Sequence, residues 1–239
     1  MGWKSMSMRS KLPLAGAVVV LASMLTATPA LAAPPPPGYP TQQIMATAKN
    51  PGFADIPIRR GFWDADAGQG FGFDKAWNYH NITTLSGQQK VMLSPTRKQQ
   101  GNGSWRLTAY AQKEECVTSN GSTTCRIVEE IPVVGVYNPR TFDEYFGWPV
   151  NGVLGEQTMY CDQGGVVRCP SWVWIALQNL GTSANESRMA QSGFSVEQEL
   201  NAEQREDQIE QLQTAEMQEL EDQVLAGQVV LTGSYTPSK

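Results

Sequence analysis

The sequence predicts an α+β fold with a small antiparallel sheet, an N-terminal helix, two local disulfides and a C-terminal acidic helix. Three observations lead to this class. Short β-rich segments separated by turn residues fill the middle of the chain, a short helical segment precedes them, and a long helical segment follows them. Of the 239 residues, 41% are hydrophobic, which is enough for one buried core in a domain of ordinary size.

The first 32 residues have the order of segments that is typical of a secretory signal peptide. Basic residues precede an apolar run from Leu12 to Leu25, and Ala30-Leu31-Ala32 offers small residues for cleavage. A membrane anchor needs about 20 apolar residues, whereas this run is shorter and contains Pro13. We therefore expect a secreted protein with no membrane segment after cleavage.

Composition divides the rest of the chain into three parts. Residues 33–51 form a proline-rich leader, residues 52–180 a globular α+β domain, and residues 181–239 an acidic helical tail with a short C-terminal segment. The whole chain has a formal charge of −5, and 11 acidic residues against two arginines lie between 185 and 226. Residues 33–184 are neutral overall. A broad basic surface for nucleic acid is therefore excluded, and any anion site has to be local.

The globular part contains one predicted helix and several predicted strands. The helix covers the segment from Asp74 to Asn81. Residues 104–110 alternate as a half-buried strand does, and residues 126–131 and 131–137 are β-rich. Pro132 predicts an edge strand or a break at that point.

Four cysteines flank two turn-rich segments. Cys116 and Cys125 enclose a polar stretch typical of a hairpin tip, and Cys161 and Cys169 enclose a loop with Gly164-Gly165. Four cysteines allow three connectivities, of which the two local pairs require least of the fold. A zinc site is disfavoured because no Cys-x-x-Cys spacing occurs and the chain has one histidine. We predict two structural disulfides and neither a metal nor another cofactor.

The tail carries a long helical pattern. Ser195 and Gln198 resemble a capping box, helical composition continues to Ala226, and Gly227 is the predicted stop. An apolar stripe follows one side of this helix, and its members are Ile209, Leu212, Met217, Leu220 and Val224. The stripe favours a helix that lies on the globular domain or that pairs with a protein partner or a second copy. The alternative is an acidic mask over a phosphate-binding cleft.

The densest group of chemically active side chains lies between residues 68 and 82. A glycine-rich segment, Gly68 to Gly72, leads into a short helical stretch that presents Lys75 and the single histidine, His80. The glycines do not indicate a dinucleotide site, because no apolar strand precedes them. The nearby aspartates do not have the spacing of an EF-hand loop. The chemistry that remains is an imidazole with a cation five residues before it.

Two sets of motifs, at opposite ends of the domain, belong together in known proteins. The first is Gly70-Phe71-Gly72, then Lys75, then His80-Asn81-Ile82; the second is Thr158-Met159-Tyr160-Cys161 followed by Cys169-Pro170-Ser171-Trp172-Val173. In this order they resemble a group of secreted bacterial toxin-type domains of polymorphic toxins. Gly155-Glu156-Gln157 departs from that group, in which an aliphatic strand is more typical before the threonine.

Such domains resemble the broad barnase, EndoU, colicin and RelE ribonuclease class. The resemblance implies a small α+β fold and metal-independent cleavage of RNA through the ribose 2′-OH. An imidazole is suited to proton transfer near neutrality, so His80 is the predicted general base or acid. Lys75 and Arg106 are predicted to bind phosphate. Thr158 and Tyr160 alternate with Met159, so they share one face of a strand and are predicted to hydrogen-bond substrate.

Each assignment has a structural alternative. A lone histidine is often a structural group, and Tyr160 beside a cysteine is often packed. Arg106 has four glutamates as alternative partners, namely Glu114, Glu115, Glu129 and Glu130. The second function class is a non-enzymatic secreted domain that binds protein or glycan, and the acidic tail favours it because RNA binding gains from positive charge. The enzyme requires that His80 opens into a cleft with Lys75 or Arg106 in hydrogen-bonding reach, and a His80 sealed in apolar packing would exclude it.

Overall fold

The structure is a computed structural model, and it describes residues 35–165, 168–181 and 217–238. The predicted signal peptide at 1–32 lies outside these ranges. So do residues 182–216 of the tail, with the predicted helix start at Ser195 and with Ile209 and Leu212 of the apolar stripe. Within them, no helix is long and apolar enough to cross a membrane.

Two short antiparallel hairpins come before the first helices. One pairs β1 (Ile44–Ala48) with β2 (Ile56–Arg59), and the other pairs β3 (Phe62–Asp64) with β4 (Gln69–Phe71). Helices α1 (Gly72–Asn78) and α2 (Leu85–Met92) follow. Among the described residues the fold therefore begins with strands, and the N-terminal helix of the predicted fold class is not supported.

The main sheet is antiparallel and has the strand order β5-β6-β7-β8, with β9 also paired to β6. Its strands are β5 (Arg97–Gln99), β6 (Trp105–Ser119), β7 (Ser122–Tyr145), β8 (Trp148–Cys161) and β9 (Val229–Ser234). Helix α3 (Ser171–Gln178) follows β8, and residues 217–225 form a further helix, α4, before β9. The mixture of helices and antiparallel strands confirms the predicted α+β class.

One face of the main sheet packs on α2. Leu107, Gly135 and Met159 form a cross-strand row on that face. A Cβ added to Gly135 would lie 2.7 Å from Cε of Met92, so the methionine fills the space that a side chain would need. The main core therefore lies between this face and the helices.

Both predicted disulfides are confirmed. Cys116 and Cys125 are paired across the β6–β7 hairpin, and Cys161 joins the end of β8 to Cys169, just before α3. The sequence separations are similar, 9 and 8 residues. The second crosslink ties Cys169, and with it the start of α3, to the end of β8.

Pro132 lies inside β7, where the sequence predicts an edge or a break. It is paired with Tyr110 of β6, and its carbonyl accepts a hydrogen bond from the N–H of Asp162. In an antiparallel ladder the N and O of one residue point to the same side. The proline nitrogen therefore faces β8, which ends at Cys161, and not β6. For this reason β7 continues through Pro132 without losing a hydrogen bond to β6.

The folded part extends beyond both predicted boundaries, 52 and 180. β1 lies inside the predicted leader, and the nearby Thr41 hydroxyl donates to the Pro149 carbonyl at 2.7 Å. β9 lies inside the predicted tail and pairs with residues 110–115 of β6. Most of β9 is buried, so it lacks the polar alternation by which a half-exposed strand is found in a sequence.

Two helix ends can be compared with their predictions. α1 ends at Asn78 instead of continuing to Asn81, which adopts a left-handed φ of 60°. In the tail, α4 ends just before Gly227, the predicted stop, whose φ is 68°. Leu220 of α4 is buried, and Met217 and Val224 pack against the main core. The described part of the apolar stripe thus lies on the globular domain.

Candidate active site

His80 lies just after α1, in a turn that the disulfide-closed loop holds in place. The His80 carbonyl accepts a hydrogen bond from the Cys169 N–H at 2.9 Å, and the Asn81 amide donates to the Cys169 carbonyl at 2.9 Å. The Arg168 guanidinium donates to the Asn78 carbonyl at 2.7 Å. The Arg168 bond satisfies the last carbonyl of α1, which has no partner within the helix, and the other two bonds hold the turn that follows. The loop thereby fixes the position of His80.

The His80 ring lies among aromatic rings. The residue is 8% exposed, and its ring centroid is 4.5 Å from that of Tyr79 and 5.8 Å from that of Tyr160. Because Tyr160 belongs to β8, this contact joins the end of α1 to the sheet. Two predicted site residues that are distant in sequence are thus brought into contact.

Lys75 joins this group of aromatic rings through Trp63. Its ammonium is 5.7 Å from the centroid of the Trp63 ring, and Trp63 stacks on Tyr79 with 4.2 Å between centroids. Burial lowers the pKa of Lys75, because the ammonium loses hydration there. Since Tyr79 also contacts His80, a continuous line of contacts runs from the cation to the imidazole.

Arg106 and Thr158 lie in one cross-strand row with Val136. This row is next to the one that faces α2, so it points to the opposite face of the sheet. Tyr160, two residues after Thr158, points the same way. Three predicted site residues on two strands therefore share a face, and the His80 ring lies against one of them.

The Arg106 guanidinium is paired with a carboxylate. Its partner is Asp162, and the two side chains are 33% and 45% exposed. The partner is thus the first residue after Cys161, not one of the glutamates considered from the sequence; Glu115, for example, pairs with Arg126. A phosphate at Arg106 has to compete with the Asp162 carboxylate for the same N–H groups.

Known proteins give no direct guide to this site. Comparison of the chain with protein-family models, with curated proteins and with solved structures finds no match. Among the described residues, no group of three or more His, Cys, Asp or Glu side chains is arranged to hold a metal ion. The function therefore has to be argued from the geometry of this chain.

Three side chains beside the site are not marked by any local pattern in the sequence. They are Trp63, Asp162 and Arg168, and each contacts a segment that is distant along the chain. Asp162 and Arg168 belong to the loop between Cys161 and Cys169. In the sequence, the predicted Cys161–Cys169 disulfide is the feature that indicates that these two residues lie near the sheet.

Glu156, at the point where the sequence departs from the toxin-type group, is fully buried on β8. Neither of its carboxyl oxygens has a hydrogen-bond partner, and the buried Thr158 hydroxyl has none either. Burial raises the pKa of Glu156 to about 8, because an unpaired carboxylate is poorly solvated in the interior. At neutral pH Glu156 is therefore mainly a neutral carboxylic acid. The Thr158 hydroxyl can bond a substrate only after neighbouring side chains make room.

Proposed function

We propose that this protein is an exported, toxin-like domain that cleaves RNA without a metal ion. The observation that carries the proposal is the contact between the His80 and Tyr160 rings, at the sheet face that also bears Arg106 and Thr158. His80 thus lies against the strand that carries Thr158 and Tyr160, and Arg106 shares that face of the sheet two strands away. The two disulfides are consistent with export, because such bonds persist in oxidising compartments.

The proposed reaction is a transesterification within the RNA strand. His80 takes the proton of the ribose 2′-OH, and the 2′-oxygen bonds to the adjacent phosphorus. The bond from phosphorus to the 5′-oxygen breaks, and that oxygen takes the proton from the imidazolium. A 2′,3′-cyclic phosphate and a free 5′-hydroxyl result, so no redox partner is required.

Cations stabilise the charge that builds up on the phosphate oxygens during this step. Arg106 supplies a planar guanidinium that can donate two parallel hydrogen bonds. Lys75 supplies an ammonium close to the aromatic rings around His80. Tyr160 supplies a hydroxyl on the same face as Arg106.

A binding domain without catalysis is the second candidate function. The observation that favours it is the low exposure of His80, of which 8% is accessible. In this alternative the His80 ring is a structural group between Tyr79 and Tyr160, and Arg106 and Asp162 stay paired.

Cleavage that depends on His80 distinguishes the two candidates. We expect the oxidised, exported protein to cut mixed RNA in the presence of a metal chelator. His80→Gln should reduce the rate roughly 100-fold or more, because a positioned proton carrier contributes about that much. The measurement is the rate of appearance of 2′,3′-cyclic phosphate ends. Intact RNA after incubation with the parent protein, or equal rates for the two proteins, would remove the enzyme from consideration.

Removing the competing carboxylate should strengthen phosphate binding. In Asp162→Asn the Arg106 guanidinium no longer has a charged partner, so we expect an uncleavable 2′-O-methyl RNA strand to bind a few-fold more tightly, on the order of the strength of one exposed ion pair. The dissociation constant is measured by fluorescence anisotropy. Glu115→Gln is the matched control, because it breaks the exposed pair with Arg126 near the tip of the β6–β7 hairpin. Binding by Asp162→Asn that equals binding by the parent would show that Arg106 does not contact the strand.

A further inference from the structure

Phe146 occupies a turn position that suits a different residue. Tyr145 and Trp148 are paired, so Phe146 and Gly147 form a two-residue turn between β7 and β8, with φ of 56° and 80°. A two-residue turn with positive φ at both positions is normally built from Asn-Gly, because a bulky side chain is strained there. The β6–β7 hairpin has that solution, since its turn is Asn120-Gly121 with φ of 51° and 77°. The chain therefore contains two turns of similar backbone geometry, one with asparagine and one with phenylalanine at the first position.

The Phe146 ring is exposed yet firmly supported. The residue is 41% exposed, and its ring centroid is 4.4 Å from that of Tyr145 and 6.1 Å from that of Trp148. Trp148 is almost completely buried, in a small core with Phe71. A ring held in this way loses little conformational freedom when another flat group stacks on it.

Tyr145 connects this turn to the candidate active site. Its hydroxyl accepts a hydrogen bond from the Gln157 amide at 3.2 Å, and Gln157 directly precedes Thr158. The positive charge of Arg140 acts on Tyr145 and opposes the rise in the pKa of Tyr145 that burial causes. The exposed Phe146 ring and the active-site strand are thus linked through Tyr145.

We propose that Phe146 stacks on a nucleobase of the RNA strand that the Arg106 face binds. The inference rests on the proposed function and adds a base-binding subsite to it. A base is the occupant we favour because single-stranded RNA is recognised by aromatic stacking, with cations on the phosphates between the bases. Arg106 on β6 supplies such a cation. A second, Arg140, lies on the neighbouring strand β7, where its guanidinium donates to the Asn102 carbonyl.

Phe146→Asn tests the subsite, because it removes the ring and restores the preferred turn residue. The probes are an uncleavable 2′-O-methyl RNA hexamer and the same backbone with abasic positions. We expect the variant to bind the hexamer roughly 10-fold more weakly, the usual effect of losing one stacked base, and to bind the abasic strand as the parent does. Its thermal midpoint should not fall, since asparagine tolerates the left-handed conformation. Val117→Ser is the matched control, as Val117 is 69% exposed on the other hairpin.

RNA binding and RNA cleavage together decide the proposal. Weaker hexamer binding by Phe146→Asn, with unchanged binding by Val117→Ser, supports it. Equal hexamer binding by the parent and Phe146→Asn overturns it, and so does an equal loss on the abasic strand. If the parent binds the hexamer through Phe146 but cleaves no RNA, the enzymatic function fails and the stacking site stands. If the parent cleaves RNA and Phe146→Asn binds normally, the stacking site alone fails.

Discussion

Glu156→Gln is expected to stabilise the fold strongly at alkaline pH and to change little in acid. The parent carboxyl is fully buried and its oxygens have no hydrogen-bond partner. Its pKa is raised from 4.5 to about 8, which corresponds to about 5 kcal/mol of free energy of unfolding. Glutamine has nearly the same shape and carries no charge at any pH, so it is free of this cost.

The sign of the pH dependence follows from the raised pKa. Below pH 4.5, the ordinary value, the Glu156 carboxyl is protonated in both the folded and the unfolded chain, and ionisation costs nothing. As the pH rises toward 8, the unfolded chain ionises while the folded chain holds its proton, so the stability of the parent falls. Above the folded pKa the loss is complete. The advantage of Glu156→Gln should therefore appear between pH 4.5 and 8 and then stay constant.

Urea unfolding of the two proteins at a series of pH values from acid to alkaline measures this difference. Glu144→Gln provides the control, because it makes the same chemical change at an exposed position of β7. Parallel curves for the parent and Glu156→Gln would mean that the carboxyl has a partner or a route to water. In that case the conclusion that Glu156 is a neutral carboxylic acid in the folded protein would be wrong.

The elements that could be predicted from sequence are those whose patterns are local. The β6 strand alternates between the two faces, and the cysteine pairs enclose turn residues, so the sequence predicts both the strand and the disulfides. The sequence does not predict β9, because a short strand buried on both faces shows no alternation. The true end of α1 depends on hydrogen bonds from the Cys169 loop, which no pattern near Asn81 reveals.

In the candidate site, too, local motifs predict some of the residues, and the contacts of the others depend on the fold. Lys75, His80, Thr158 and Tyr160 belong to recognisable motifs, and the structure brings His80 and Tyr160 into contact. The partner of Arg106 could not be predicted, because Asp162 and Arg106 come close only when β8 pairs with β7, which in turn pairs with β6. The state of Glu156 also required the structure. A glutamate in a strand is usually exposed, and only its surroundings show that this one is not.

Removing the Cys161–Cys169 disulfide is expected to abolish the candidate activity, whereas removing the Cys116–Cys125 disulfide is not. The proposed variants are Cys161→Ser with Cys169→Ser, and Cys116→Ser with Cys125→Ser. The two crosslinks close loops of similar length, so each should cost a similar free energy of unfolding, about 2–3 kcal/mol. Any difference in activity between the variants therefore reports on position and not on overall stability.

The Cys161–Cys169 loop holds both sides of the site. Its Cys169 end binds the His80 carbonyl, and its Cys161 end carries Asp162, the partner of Arg106. A displacement of about 1 Å at a reacting group can cost about 100-fold in rate, so we expect at least that loss when the loop is released. Hydrogen exchange gives a measure that does not depend on catalysis: the amides of residues 78–82 should lose protection in the first variant only. If both variants keep the activity and the protection of these amides, His80 is held by α1 and the sheet alone, and the loop has no part in the site.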